Sequence, residues 1–206
     1  MDFSFKKLSD GPEFLFLGGH PAIDLANTLV PPPGLNLEFL RTWGDVIDWL
    51  GRAKISTSPA LNLPGEQCTP ALKSFLKFRD TWRNELSQIV AHGKVSEVFL
   101  EQLNQILSSD PFTETLTRNH QAGFHIARSS SRLRGEKLAL ALASHQVAGF
   151  LAVANPDFIR RCANTASCVL YFYDTTKNHH RQWCSTATCG NRHKVAAFRR
   201  RAGKGG

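Results

Sequence analysis

The chain has 206 residues, of which 42% are hydrophobic, enough to bury a core in one main domain with a small appendage. Its longest apolar runs, FLFL at 14–17 and LALALA at 138–143, are far shorter than the roughly 20 residues that cross a bilayer, and its N-terminus lacks the pattern of a secretion signal. We therefore expect a globular cytoplasmic protein that does not enter a membrane.

The net charge of +8 is unevenly distributed along the chain. Residues 175–206 contain eight Lys and Arg and no Asp or Glu, whereas basic and acidic residues balance over residues 1–174. Concentrated positive charge without acids is typical of a segment that binds a polyanion, either nucleic acid or an anionic membrane surface, although surface lysines also serve solubility.

The stretch FLFLGGHPAIDLANTLV at 14–30 predicts a short strand at 14–17, a turn at Gly18 and Gly19, and a helix entered through Pro21. The PPPG segment at 31–34 ends that helix.

Small and polar residues in this stretch form a candidate pocket of the N-terminal region: Gly18, Gly19, His20, Asp24 and Asn27. On a helix, the spacing of four between His20 and Asp24 aligns an imidazole with a carboxylate, as a general base requires. We favour a structural interpretation, in which a helix-entry hydrogen bond and a buried network of Asp24, Asn27 and Thr28 hold the turn. The alternative interpretation, that these residues line a ligand-sensing pocket, remains open.

Apolar spacing predicts four helices in the rest of this region, with a loop at 54–70. The first covers residues 36–52, and a long helix buries Ala71, Phe75, Phe78, Trp82, Leu86 and Ile89. A shorter helix runs through Phe99, Leu103 and Ile106. One or two strands fall within 111–134, and the last helix, 135–154, ends at the Asn155-Pro156 pair. The predicted class is α+β: a mostly helical N-terminal domain with a small sheet at residues 1–155.

Four of the five cysteines lie close together in the sequence, with the spacing Cys162-x5-Cys168-x15-Cys184-x4-Cys189. Clustered thiols in a reducing cytoplasm are more often metal ligands than disulfides, and four thiolates complete a tetrahedral shell. We predict one structural Zn²⁺ in a finger of residues 156–206. A hairpin, with a strand at 169–173 and a second strand returning to Trp183, would join the two cysteine pairs.

A basic helix follows the last cysteine in this prediction. Within it, Arg192 and Arg199 are seven residues apart, as are Lys194 and Arg201, so each pair shares a face. Val195 and Phe198 are expected to pack this helix onto the hairpin. The candidate nucleic-acid contacts are Arg192, Lys194, Arg199, Arg200 and Arg201.

The segment RRCANTASCVLYFYDTTKNHHRQWCSTATCGNRHKVAAFRRR resembles the CGNR zinc finger, named for the residues found here as Cys189, Gly190, Asn191 and Arg192. The stretch GGHPAIDLANT is similar to the start of the ABATE domain, which usually precedes this finger in proteins classed as stress-induced transcription regulators. The resemblance implies a zinc-dependent nucleic-acid-binding module behind an α/β domain. The first cysteine pair is one residue wider than the family pattern.

Our first hypothesis is a zinc-binding transcription regulator that binds DNA and responds to stress, with an N-terminal domain that senses a small-molecule effector or binds a partner. The alternatives are a zinc-stabilised protein-interaction or RNA-binding module and, less favoured, an enzyme that uses His20 and Asp24. Phosphate-binding glycine loops, serine nucleophile elbows and helical histidine pairs are missing from the sequence, so we expect no enzyme. A homodimer stays open, since many DNA-binding proteins are dimers, although the sequence shows no heptad signal.

Overall fold

The computed structural model of the protein describes residues 13–33, 37–109, 114–118, 123–128 and 132–202. These residues form six α-helices: α1 (Pro21–Ala26), α2 (Trp43–Arg52), α3 (Gly65–His92), α4 (Glu97–Ser108), α5 (Gly135–Val153) and α6 (Asn191–Ala202). The predicted α+β class is confirmed. None of the helices in the described ranges combines the length and the apolar character that a membrane crossing requires.

The strands within these ranges form three separate antiparallel pairs. They are β1 (Leu29–Val30) with β2 (Leu37–Glu38), β3 (Glu114–Arg118) with β4 (Phe124–Arg128), and β5 (Ile159–Arg161) with β6 (Tyr171–Tyr173). The β3–β4 hairpin confirms the strands predicted within 111–134.

The turn before α1 is fixed by its own sequence. His20 caps the helix, its Nδ1 atom accepting a hydrogen bond from the Ala22 amide at 3.1 Å, and Pro21 occupies the first turn. The predicted strand at 14–17 is wrong, since no strand forms there. Instead, the carbonyl groups at the end of this segment accept hydrogen bonds from the finger: Leu17 from Arg181 at 3.1 Å and Gly18 from the Tyr173 amide at 2.7 Å.

Helices α2 and α3 begin at positions other than those predicted. A capping box of Thr42 and Asp45 starts α2 at Trp43. The earlier residues of the predicted helix include 37–38, which pair with β1 as strand β2. Helix α3 starts at Gly65, inside the predicted loop, although Pro70 lies in its second turn. Pro70 has no amide hydrogen to donate to the Glu66 carbonyl one turn earlier, so it removes one hydrogen bond of the helix without ending it.

The core is built around α3, which contacts α1, α2, α4 and α5. Trp82 stacks on Phe99 with ring centroids 5.8 Å apart, and its indole N–H donates to the Ala22 carbonyl at 2.6 Å. The predicted buried face of α3 is confirmed at five of its six positions, and Phe78 is partly buried.

In the finger, β6 pairs with β5 rather than with a returning strand. Ile159 lies opposite Tyr173, and Arg161 lies opposite Tyr171. The predicted strand returning to Trp183 is therefore wrong, and residues 174–183 form a polar loop. Buried residues of the finger and of the N-terminal domain belong to one continuous hydrophobic cluster. The boundary after residue 155 stays a prediction.

Candidate metal centre

Each of the four clustered cysteines lies within or beside a short local element. Cys162 directly follows β5, and Cys168 closes a turn in which its amide donates to the Asn164 carbonyl at 2.8 Å. Cys184 precedes a π-helical turn, Thr186–Gly190, that contains Cys189 and leads into α6. These elements bring together side chains that are 27 positions apart at the extremes, and all four are buried.

The sulfur geometry fits a tetrahedral zinc ion. The four Sγ atoms lie within 4.8 Å of one another, and Cys184 Sγ is 3.7 Å from both Cys168 Sγ and Cys189 Sγ. A Zn–S bond of about 2.3 Å gives a tetrahedron edge of about 3.8 Å, whereas a disulfide needs about 2.05 Å. The predicted ligand set for one structural Zn²⁺ is thus assembled.

The electrostatics of the cluster also favour a bound cation when the thiols ionise. Hydrogen bonding with Cys168 lowers the pKa of the Cys162 thiol, whereas hydrogen bonding with Cys162 raises the pKa of the Cys184 thiol. Four adjacent sulfurs cannot all ionise unless a positive charge compensates them. Backbone amides of Leu170 and Cys184 donate to the sulfurs of Cys168 and Cys162, which would orient and stabilise these thiolates around a metal.

The N-terminal domain covers one side of the sulfur cluster. Leu15, Leu17 and Val30 line a small apolar cavity of about 70 Å³ together with Cys168, Cys184 and Cys189. This apolar wall limits the access of water to the sulfurs, as suits a closed structural site.

Asn27 joins the two parts of the chain by acting as a strand partner. Its side-chain amide donates to the Tyr171 carbonyl at 2.8 Å, and its Oδ1 atom accepts from the Tyr171 amide at 3.0 Å. Both groups are buried, so this pair of hydrogen bonds satisfies backbone atoms of β6 that water does not reach.

Two arginines that the sequence analysis did not single out also hold the finger. Arg83, on α3, donates to the Ala26 carbonyl at 2.8 Å and to the Val169 carbonyl at 3.0 Å. Arg181 donates to the carbonyls of Leu17, Trp183 and Cys184. In the sequence, Arg83 directly follows Trp82 beside the apolar face of α3, and this position could have indicated its burial. No sequence pattern indicated the role of Arg181.

Asp174 organises the loop that leads to the second cysteine pair. Its fully buried carboxylate accepts hydrogen bonds from the Thr176 amide and hydroxyl and from the Arg181 amide, at 2.6–3.0 Å. Burial opposes its ionisation, but these hydrogen bonds and the nearby Arg160 charge lower the pKa of Asp174. The Asp-x-Thr pattern predicts this turn but not its link to Arg181.

The candidate pocket residues lie together, in the hydrogen-bonded arrangement of a structural turn. The Gly18 amide donates to Asp24 Oδ1 at 2.7 Å, and a Cβ atom on Gly18 would lie 2.6 Å from Ile23. Gly19 has a positive φ of 79°. The helix-entry hydrogen bond of His20 is confirmed, and burial raises the pKa of Asp24 to about 6. A ligand pocket at these residues stays a prediction.

Helix α6 presents its charged side chains to solvent: Arg192, Lys194 and Arg199 are exposed. The side chains of Arg200 and Arg201 lie outside the described residues. The prediction that Val195 and Phe198 pack onto the hairpin is wrong, since they are 41% and 67% exposed. The contact runs instead through His193, whose ring centroid is 5.6 Å from that of Trp183.

Two family models match the chain. The CGNR zinc finger matches residues 159–202, and the ABATE family, described as "Putative stress-induced transcription regulator", matches residues 19–153. Neither is an enzyme family, and a search of curated proteins gives no match. The chain therefore belongs to the ABATE family and carries a C-terminal CGNR zinc finger whose four buried cysteines form its zinc-binding site.

Proposed function

We propose that this protein is a transcription regulator that binds DNA through α6. The observation that carries the proposal is the exposure of Arg192, Lys194 and Arg199 on a helix that follows the zinc site directly, in a segment without acidic residues. A closed shell of four thiolates leaves no coordination position for a substrate, so the zinc serves to shape this surface.

Phosphate binding explains why the basic residues are concentrated here. Each Lys or Arg that neutralises a phosphate releases counterions, so the affinity for duplex DNA falls with a logarithmic salt slope of about −0.9 per contact. One residue separates Cys189 from α6, so a metal bound by Cys189 would restrain the start of the helix and reduce the entropy lost when these side chains meet the phosphates.

The N-terminal domain has a sensing or interaction role in this proposal, within a response to stress. Its support is the set of hydrogen bonds between the two parts: Asn27 and Arg83 donate to carbonyls of the finger, and the Leu17 carbonyl accepts from Arg181. A ligand or partner that shifts α1 or α3 would act on the same backbone groups that position the zinc ligands. Such a shift would change how α6 is presented.

The test is nucleic-acid binding by the zinc-loaded full chain, measured by fluorescence anisotropy over a salt series with duplex DNA, single-stranded DNA and RNA. The Lys194→Ala/Arg199→Ala variant should bind more weakly, with a salt slope smaller by about 1.8 on duplex DNA. The matched control is Lys94→Ala/Arg132→Ala, which removes two exposed charges outside the finger and should bind like the wild type.

Equal effects of the two double variants would contradict the proposal, because the charge of α6 would then have no special role. Tighter binding of RNA than of duplex DNA would favour the RNA-binding alternative. Absence of salt-dependent binding to all three probes would leave the protein-interaction alternative.

A further inference from the structure

Helix α6 has two unlike faces. On one face, His193 lies against Trp183 and Ala197, four residues later, is half-buried. At about 100° per residue, Asn191, Val195 and Phe198 fall within roughly 60° of one another on the opposite face. All three are exposed, and Phe198 is 67% exposed. The finger thus contacts the helix through the ring of His193, which is itself exposed, and an apolar stripe lies on the opposite face.

Basic residues flank this stripe on both sides. By the same helical spacing, Arg192 and Arg199 lie along one side of Val195 and Phe198, and Lys194 lies along the other. Arg192, Val195 and Arg199 also border a shared surface depression. An exposed phenylalanine between two basic flanks implies a partner with an apolar floor and two negatively charged walls.

We propose that α6 enters the major groove of duplex DNA and that Phe198 and Val195 contact the 5-methyl groups of thymines. This inference rests on the proposed function and names its ligand class. The major groove, about 12 Å wide, admits a helix, and its two phosphate walls match the two basic flanks. The thymine methyl is the apolar group that this groove offers, and apolar side chains recognise it.

The same geometry selects DNA over RNA. The major groove of A-form RNA is deep and too narrow for side chains to read, and uracil lacks the 5-methyl group. Phosphate contacts alone do not distinguish base sequences. The apolar stripe therefore supplies a preference for thymine-containing duplex DNA that Arg192, Lys194 and Arg199 do not provide by charge.

The experiment uses the zinc-loaded full chain and a random library of 24-base-pair duplexes. After selection, affinity is measured for the preferred duplex and for the same duplex with deoxyuridine in place of every thymine, which removes only the methyl groups. We expect binding to weaken about fourfold for each contacted methyl. Phe198→Ala should reduce this difference, and the double variant Val195→Ala/Phe198→Ala should bind the two duplexes equally. Phe124→Ala, which removes a 62% exposed phenylalanine from β4, should keep the difference.

Failure of this inference can be told apart from failure of the proposed function. Salt-dependent binding of the wild type with equal affinity for the thymine and deoxyuridine duplexes would overturn the thymine contact and leave the proposed function standing. A thymine preference that survives in the double variant Val195→Ala/Phe198→Ala would also overturn it. Absence of salt-dependent binding would overturn both. Zinc content measured on every variant shows that the finger has remained folded.

Discussion

The two halves of the finger differ in what holds them. The cysteines and the apolar residues of 159–190 are buried in one hydrophobic cluster with the N-terminal domain, which bonds their backbone through Asn27 and Arg83 and covers one side of the sulfurs with apolar side chains. Helix α6 is exposed along most of its described length and touches Trp183 through His193. The difference shows that the metal-bearing half belongs to the main core, whereas α6 is exposed, as our proposal that it binds DNA requires.

Arginine has opposite uses in α3 and α6. Arg79 is 1% exposed and forms a bidentate ion pair with Glu38 at 2.6 and 2.9 Å, whereas Arg199 is exposed on a helix without acids. Buried arginines need partners because desolvating an unpaired charge is costly. Removing the partner of Arg79 should therefore destabilise the N-terminal domain, whereas Arg199 keeps its charge in water, where our proposal has it contact phosphates.

The largest expected effect comes from removing a zinc ligand. Cys184→Ser should abolish stoichiometric zinc binding and destabilise the protein by more than about 5 kcal/mol, because binding energy of a structural zinc is folding energy. Since the finger shares one core with the N-terminal domain, the loss should appear in the unfolding of the whole chain. Elemental analysis and thermal unfolding followed by circular dichroism measure both quantities.

Cys68→Ser is the matched control for that change. Cys68 lies in the first turns of α3, away from the cluster, and its replacement should leave zinc content and unfolding temperature close to the wild-type values. If Cys184→Ser instead leaves an ordered finger without metal, the zinc site is not what holds residues 159–190.

The next largest effect tests the connection between the two domains. Asn27→Ala removes both hydrogen bonds to Tyr171 and leaves a buried amide and a buried carbonyl unpaired, which should cost about 2–4 kcal/mol. Zinc should also be lost faster to a chelator. Asn104→Ala, at an exposed position of α4, is the control and should change neither property. Unchanged zinc release in Asn27→Ala would mean that the metal-bearing half is independent of the N-terminal domain.

The pH dependence of Asp24 gives a third test of how the turn before α1 is held. Burial raises the pKa of this carboxyl from 3.8 to about 6, so folding favours the protonated form. Its contribution is therefore most favourable below pH 4 and is lost as the pH rises to 6, at a cost of roughly 2–3 kcal/mol. Asp24→Asn should gain this amount relative to the wild type between pH 4 and 7, in denaturant unfolding at each pH. A difference that stays constant with pH would show that Asp24 keeps its ordinary pKa.

The cysteine spacing was sufficient to predict the ligands and the metal. Four thiols separated by short segments in a basic tail leave few alternatives to a tetrahedral metal site, so Cys162, Cys168, Cys184 and Cys189 could be named without a structure. The long helix α3 was equally clear, because its apolar residues repeat every three or four positions over several turns.

The strand partner of β6 could not be read from local pattern. A loop of suitable length after Tyr173 suggested a return strand, but Asp174 uses its carboxylate to fold residues 174–181 onto themselves, and β5 takes the pairing position. The orientation of α6 was missed for a similar reason. Val195 and Phe198 have the spacing of a buried face, and which face is buried depends on where Trp183 contacts His193.

The smallest expected effect concerns stability when α6 loses charge. Arg199→Ala should change the free energy of unfolding by less than about 0.5 kcal/mol, because the residue is exposed on a helix and alanine is a good helix former. Arg83→Ala removes the donors to two buried carbonyl groups, so its loss of unfolding free energy should be several times larger. Denaturant unfolding of the zinc-loaded variants measures both. A loss above about 1 kcal/mol in Arg199→Ala would show that this arginine stabilises the fold. Helix α6 would then resemble residues 159–190, and the comparison between the two halves of the finger would fail.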